Sequence, residues 1–148
     1  MDLTQELVTT VATEVNGTPL TTFNDVEIDL SKWTKLSMRE AITNFWPPEF
    51  SMRPNGLLSN DAFVFLTYKT EVLREINLLV AGQIPDGHSE LTGKSPTTVA
   101  VLTALRSALT SDSATEGNGK MIAAIFEAVA EEHLIQPTII YDLSLIHI

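Results

Sequence analysis

Apolar residues recur with helical spacing in four long stretches of the chain. The clearest stretch begins at Lys120, where apolar positions lie three or four residues apart and alanines, the strongest helix formers, fill the gaps. We therefore predict a helix there, ended before Pro137 because proline forces the residue before it into an extended conformation. The β-favouring run 138–141 then predicts a strand. The apolar stripe of this helix is Ile122, Ile125, Phe126, Val129 and His133.

Three other stretches have the same spacing. The first stretch predicts an N-terminal helix that ends at Asn16-Gly17. The second predicts a helix over about 60–81. The third predicts a helix with Ser95 as its N-cap and Pro96 as its first residue. The stripe of the first is Leu3, Leu7, Val8, Val11, Ala12 and Val15. The stripe of the second is Phe65, Tyr68, Val72, Ile76 and Leu79, and that of the third is Val99, Leu102, Leu105 and Leu109.

Shorter elements lie between these helices. Ser37 and Glu40 have the spacing of a capping box, which predicts a short helix through about Phe45, ended by a Trp-Pro-Pro sequence. Runs 19–23 and 26–30 predict a peripheral β-hairpin with its turn at Asn24-Asp25. In the second run apolar and acidic residues alternate, which predicts one buried face and one solvent-exposed face. Residues 49–59 are predicted to be an irregular linker, and 82–94 and 111–119 to be polar loops.

The predicted fold class is α+β and mostly helical: a small helical module with a short β-hairpin and one terminal strand. The terminal strand is apolar on both faces, which is typical of a strand inside a sheet, yet the sequence offers it no comparable neighbour. Its partners are therefore expected in sequence outside this chain. An apolar strand with open edges also predicts poor solubility or a frayed C-terminus.

Size and charge narrow the classes of function. A chain of 148 residues has room for one domain, and 19 acidic residues against 9 unclustered basic ones disfavour nucleic-acid binding. The absence of cysteine excludes disulfides and thiol nucleophiles. No apolar run is long enough for a membrane span, and the acidic N-terminus is unlike a signal peptide, so we expect a cytoplasmic location without membrane partners.

A phosphate-binding loop is one candidate site. Residues 92–95, Thr-Gly-Lys-Ser, are similar to the end of a P-loop, but Gly87 and Gly93 have five residues between them where the motif needs four. The preceding segment also has a helical pattern instead of a strand. A polar loop with a helix cap is favoured, and the competing hypothesis of an ATP-binding protein predicts nucleotide binding that is lost on Lys94→Ala.

Other candidate groups are also better explained as structure. His88, His133 and His147 lack metal-ligand spacing, and adjacent Glu132 and His133 diverge on a helix. We expect His133 near the helix C-terminus, where the dipole favours positive charge. Asp25, Glu27 and Asp29 are interpreted as a solvated face, and Trp33 and Trp46 as packing anchors. The sequence therefore predicts no catalytic, cofactor-binding or metal-binding residues.

Three segments resemble bacterial-type lysyl-tRNA synthetase, a class II aminoacyl-tRNA synthetase. Residues 2–15, DLTQELVTTVATEV, resemble the helix after the family's motif 2 region. Residues 35–42, KLSMREAI, are similar to the family's LTMREAI, and residues 125–138, IFEAVAEEHLIQPT, to IFEEVAEAHLIQPT. The likeness covers nearly all of residues 2–142 and is weakest over 49–116.

The resemblance implies a parent enzyme that activates lysine with ATP and magnesium and transfers it to tRNA, acting as a homodimer. It places this chain between motifs 2 and 3, as residues 1–142 of a partial catalytic domain with a helical insertion module at about 37–134. The family's phosphate- and metal-binding residues match no position here, so we expect an inactive fragment that binds no ATP, magnesium or nucleic acid.

The end of the chain departs from the family. Residues 143–148, LSLIHI, match one reading frame of a transposon end used in sequencing libraries, so we interpret them as a non-native tail. The alternative to a synthetase fragment is a free-standing, non-catalytic helical interaction module derived from such an enzyme.

Overall fold

A computed structural model describes residues 2–48, 50, 53–59, 61–81, 96–110 and 118–141. Within these ranges the fold is mostly helical, with a short antiparallel hairpin and two further strands, so the predicted α+β class is confirmed. The elements in chain order are α1 (Asp2–Asn16), β1 (Leu20–Phe23), β2 (Val26–Asp29), β3 (Thr34–Ser37), α2 (Met38–Asn44), α3 (Ala62–Val80), α4 (Pro96–Thr110), α5 (Asn118–Val129) and β4 (Thr138–Tyr141). None of the helices described is both long enough and apolar enough to cross a membrane.

The hydrophobic core lies among α2, α3, α4 and α5, and its members confirm most of the predicted stripes. Helix α5 packs against both α2 and α4, and α4 also contacts α3. Val99 of the predicted α4 stripe is an exception, because 43% of it is exposed. The largest fully buried aliphatic side chains are Ile42, Leu57, Val72, Ile76, Leu102, Leu105, Leu109 and Ile125.

The segment predicted to be a linker is part of this core. It contains a 3-10 turn, Pro54–Gly56, and Phe50, Leu57 and Leu58 are buried. The guanidinium of Arg39 on α2 donates a hydrogen bond to the Leu58 carbonyl. The described part of the segment is mostly irregular, as predicted, but it is not a linker. Burial was missed because three apolar residues without periodicity give no local pattern.

Helix α1 ends as predicted but buries less than predicted. Gly17 has a φ of 73° and its N–H donates to the Thr13 carbonyl at 2.9 Å, which ends the helix. Only Ala12 of the apolar stripe is fully buried, and the Thr9 hydroxyl donates to the Leu30 carbonyl at 2.6 Å on the same side. The rest of the stripe faces solvent wholly or in part.

Strands β1 and β2 form the predicted antiparallel hairpin. Leu20 lies opposite Asp29, and the turn residues Asn24 and Asp25 have positive φ angles of 51° and 62°. The predicted alternation of buried and wet faces was wrong: Val26 is exposed, whereas Asp29 is half-buried. The hairpin packs too little against the core to impose one buried face.

The end of α5 also differs from the prediction. The α-helix ends at Val129, and His133 lies beyond it in a 3-10 turn, Glu131–His133. The exposed imidazole of His133 stacks on Phe45 with ring centroids 4.9 Å apart. His133 is therefore not part of the apolar stripe of the helix. The predicted loop 82–94 lies outside the described residues, as does 111–117 of the other loop.

Candidate functional site

Strands β3 and β4 form a parallel two-stranded sheet, which corrects the prediction that the terminal strand has no neighbour in this chain. Thr34 lies opposite Thr138, and the Thr34 N–H donates to the Pro137 carbonyl at 2.9 Å. Parallel strands need a long crossover between them. Here the crossover is the whole helical module, from α2 to the turn after α5.

A capping box fixes the junction of β3 and α2. The Glu40 N–H donates to the Ser37 hydroxyl at 3.2 Å, and the Ser37 N–H donates to Glu40 Oε2 at 2.7 Å, as predicted. The Tyr141 hydroxyl, at the end of β4, donates to the same carboxylate oxygen at 3.3 Å. The hydrogen bonds from Ser37, chiefly from its backbone, lower the pKa of Glu40 below its usual range. The Glu40 carboxylate thus ties the ends of both strands to α2.

Gln136 joins the hairpin to the sheet. Its side-chain oxygen accepts from the Asp29 N–H at 3.2 Å, and its side-chain nitrogen donates to the Glu27 carbonyl at 2.8 Å. The Leu30 N–H donates across the hairpin to the Pro19 carbonyl. Because the backbone groups of successive strand residues point to opposite edges, those of Asp29 and Glu27 lie on the outer edge of β2. The amide of Gln136 therefore takes the place of a peptide group of a neighbouring strand.

The Asp29 carboxylate is held by its own turn. It accepts from the Ser31 hydroxyl at 2.5 Å and the Ser31 N–H at 3.0 Å, and lies 2.9 Å from Lys32 Nζ. These hydrogen bonds, with that of the Ser31 hydroxyl largest, lower the pKa of Asp29 to about 2. The pKa of Asp29 is therefore lowered by Ser31 and Lys32 and not by an interaction with another carboxylate, so Asp29 is not half of an acid/base pair.

A shallow groove lies between α4 and α5. It has a volume of about 410 Å³ and is lined mainly by alanines and by Ser107 and Glu127. Small residues allow the two helices to approach closely, so the groove follows from helix packing.

The other candidate residues are only partly described. His88, His147 and the loop 92–95 lie outside the described residues, so the P-loop hypothesis is untested. No group of three His, Cys, Asp or Glu residues in the described ranges could hold a metal. Trp46 is buried, which confirms its predicted packing role, and the indole N–H of half-buried Trp33 donates to the Leu30 carbonyl at 2.8 Å.

Sequence reasoning missed the roles of Gln136 and Tyr141. Gln136 bonds to residues more than a hundred positions away, and no local pattern marks it. Tyr141 was assigned to the strand, but its bond to Glu40 needs the parallel register. The site as built is therefore a structural junction of two strands, a helix cap and a hairpin edge.

Comparisons with known proteins add a second observation. No protein-family model matches the chain. Two curated lysine–tRNA ligases are similar to it: that of Moorella thermoacetica is 28% identical over 143 residues, and that of Thermoanaerobacter sp. is 26% identical over 143 residues. The match takes in 96% of this chain but only 21% and 20% of these relatives, so the chain spans about a fifth of their length. These similarities support a region related to lysyl-tRNA synthetase.

Proposed function

We propose that this chain is the region of a lysyl-tRNA synthetase catalytic domain between motifs 2 and 3. The observation that carries the proposal is the meeting of two resembling segments, 35–42 and 125–138, at one junction. Lys35 lies opposite Ile139, α2 packs against α5, and the Ser37–Glu40 cap closes on Tyr141. The similarity to lysine–tRNA ligases over 96% of the chain supports the same conclusion.

In this proposal the chain supplies scaffold and the rest of the synthetase supplies chemistry. The parent activates lysine with ATP and magnesium, transfers it to tRNA as a homodimer, and works in the cytoplasm. Formation of the adenylate requires positive groups and metal-binding carboxylates around the phosphates. Those residues of the family match no position here, so the isolated chain is inactive and binds neither ATP nor tRNA.

The two-stranded parallel sheet supports this division. Parallel sheets are normally covered on both faces and contain more than two strands. Ile139 and Ile140 are only half-buried, although Ile140 packs against the core. Further strands of a synthetase catalytic domain would bury the remaining surface.

A chimera tests the assignment. The aligned region of the Moorella thermoacetica ligase is replaced by residues 2–141, and lysine-dependent ATP–pyrophosphate exchange is measured. We expect exchange from the chimera, none from the isolated chain, and loss of exchange with Ile140→Asp, which places a charge against the core. Glu127→Gln, at an exposed position of α5, is the matched control and should retain activity.

Two results would contradict the proposal. Exchange by the isolated chain above a blank would show that the chain is not an inactive fragment. A folded chimera without exchange would show that the region cannot replace its counterpart.

The free-standing interaction module remains the second candidate, favoured by the exposed apolar residues of α1. The coding sequence upstream of Met1 distinguishes the two candidates. An in-frame motif 2 supports the synthetase region, whereas a promoter and a ribosome site support the free module.

A further inference from the structure

Asparagine followed by glycine is a chemically labile pair. Asparagine is among the thermolabile residues of proteins, and a following glycine has no Cβ to hinder attack by its backbone nitrogen on the asparagine side chain. The chain contains three such pairs, which are Asn16-Gly17, Asn55-Gly56 and Asn118-Gly119. The last of these begins α5, whereas the first two lie in local structures that restrain them in different ways.

The reaction of such a pair needs only the pair itself and water. The glycine backbone nitrogen loses its proton and bonds to Cγ of the asparagine, and the side-chain nitrogen leaves as ammonia, which closes a succinimide ring. Water then opens the ring at one of its two carbonyls. One opening gives aspartate, and the other gives isoaspartate, in which the main chain runs through the side chain. A glycine nitrogen that is held in a hydrogen bond or in a packed turn cannot make this attack until the local structure opens.

The pair at Asn16 is restrained by the end of α1. Asn16 is the last residue of the helix, and the Gly17 N–H donates to the Thr13 carbonyl at 2.9 Å. Helix ends fray at little cost in free energy, and opening of the last turn frees the Gly17 nitrogen. Only Ala12 of the apolar stripe of α1 is fully buried, so little packing within the chain opposes this opening.

The pair at Asn55 is restrained by the core instead. It lies in the 3-10 turn Pro54–Gly56, where Gly56 is buried and its backbone lies directly against the ring of Tyr68. Closure of a succinimide ring requires the backbone to rotate between Asn55 and Gly56. That rotation needs the turn to separate from α3, so this pair reacts only when core packing is lost.

We propose that Asn16-Gly17 is a site of spontaneous deamidation in this chain, and that fraying of the last turn of α1 controls its rate. The proposal needs no partner and does not rest on the synthetase assignment, because it uses only the hydrogen bond and packing of the pair. The product carries a negative charge at the C-terminal end of α1, where the helix dipole disfavours it. Isoaspartate also lengthens the main chain by a methylene and displaces Gly17 from the Thr13 carbonyl. Deamidation therefore unwinds the last turn of α1.

Peptide mapping by mass spectrometry follows both pairs in one sample of the full chain, incubated in mildly alkaline buffer. In the folded chain we expect conversion at Asn16 to be at least about tenfold faster than at Asn55, because local fraying is far more frequent than loss of the core. In concentrated urea the two rates should become similar, since both pairs are then Asn-Gly in an unfolded chain.

Two substitutions of exposed Glu14 test the role of fraying. Glu14→Gly should convert Asn16 about fivefold faster than Glu14→Ala, because glycine in the last turn favours the frayed state relative to alanine. The two variants remove the same charge, so each is the matched control of the other. Conversion at Asn55 should be the same in both.

A substitution in the core should act on the other pair. Ile125 is fully buried, and Ile125→Ala should accelerate conversion at Asn55 by at least about tenfold because it lowers the stability of the core. Conversion at Asn16 should change little, since it proceeds through the end of α1.

The proposal has clear points of failure. Equal rates at Asn16 and Asn55 in the folded chain, or a difference that persists in urea, would show that the fold does not set their order. Equal rates at Asn16 in Glu14→Gly and Glu14→Ala would show that fraying does not control the reaction. Conversion at Asn16 in urea but none in the folded chain would show that the end of α1 protects the pair completely.

Discussion

At the residue scale, the backbone of Gly56 lies directly against the ring of Tyr68. An added Cβ at Gly56 would overlap three ring atoms of Tyr68, and Gly56 is buried. We expect Gly56→Ala to lower the free energy of unfolding by about 1–3 kcal/mol, because overpacking displaces neighbouring groups. Urea denaturation measures this change.

A double variant isolates the steric cause. Tyr68→Leu combined with Gly56→Ala should cost less than the sum of the two single changes, because the clashing ring is gone. Strict additivity would contradict the overlap. Gly17→Ala is a comparison without steric overlap, since no atom lies within 4 Å of the added Cβ. Its cost in stability would come from the φ of 73°, which alanine rarely adopts.

Asp29 gives a prediction that depends on pH. Its pKa is about 2 in the folded chain against 3.8 without structure. Its contribution to stability is therefore complete above about pH 5 and is lost progressively as pH falls through both pKa values. Carboxyl NMR should show Asp29 titrating near 2. Ser31→Ala and Lys32→Met should each raise this pKa, and a wild-type midpoint near 3.8 would contradict the observed hydrogen bonds.

At the element scale, Gln136 connects the hairpin to the sheet through two exposed hydrogen bonds. Gln136→Ala removes both and should lower the free energy of unfolding by about 1 kcal/mol. Amide exchange should increase most at Asp29, whose N–H donates to the Gln136 side chain. Gln136→Glu keeps an acceptor for Asp29 and should protect that amide partly. Unchanged exchange at Asp29 in Gln136→Ala would show that the bond contributes nothing.

Strand β4 should show alternating protection. Because Thr34 donates to Pro137, the parallel ladder directs the N–H of Ile139 towards β3, and those of Thr138 and Ile140 away from it. Hydrogen exchange should therefore be slow at Ile139 and faster at its two neighbours. Uniform protection from Thr138 to Tyr141 in a monomer would mean that a further strand covers β4.

Elements that depend on residues close in sequence could be predicted, whereas elements that depend on contacts between distant residues could not. Helix α3 and its stripe were predicted because periodicity over nineteen residues is a local signal. Strand β3 was missed because its four residues, two of them polar and one charged, show no apolar alternation. The segment forms a strand because it pairs with β4, where Thr34 lies opposite Thr138. The α1 helix was predicted, but its burial was not, since burial depends on what packs against it. Gln136 shows the same limit at the candidate site, because its partners are distant in sequence.

At the scale of the whole molecule, the helical module holds the parallel sheet together. Strands β3 and β4 pair with each other, and the chain that connects them runs through α2 to α5. Helix α2 and β3 meet at the Ser37–Glu40 cap. The hairpin, in contrast, has its own ladder and turn and is connected to the sheet through Gln136. Loss of the helical core should therefore weaken the sheet more than the hairpin.

Ile125→Ala tests this coupling, because Ile125 is fully buried where α5 joins the core. Truncation of a buried isoleucine to alanine should lower the free energy of unfolding by about 2–5 kcal/mol. Leu66→Ala at an exposed position of α3 is the control and should cost much less. If the module and the sheet open as one cooperative unit, exchange at Ile139 should accelerate by the same factor as exchange in α5, while amides of β1 and β2 change less. Unchanged exchange at Ile139 would show instead that the sheet is stable without the helical core.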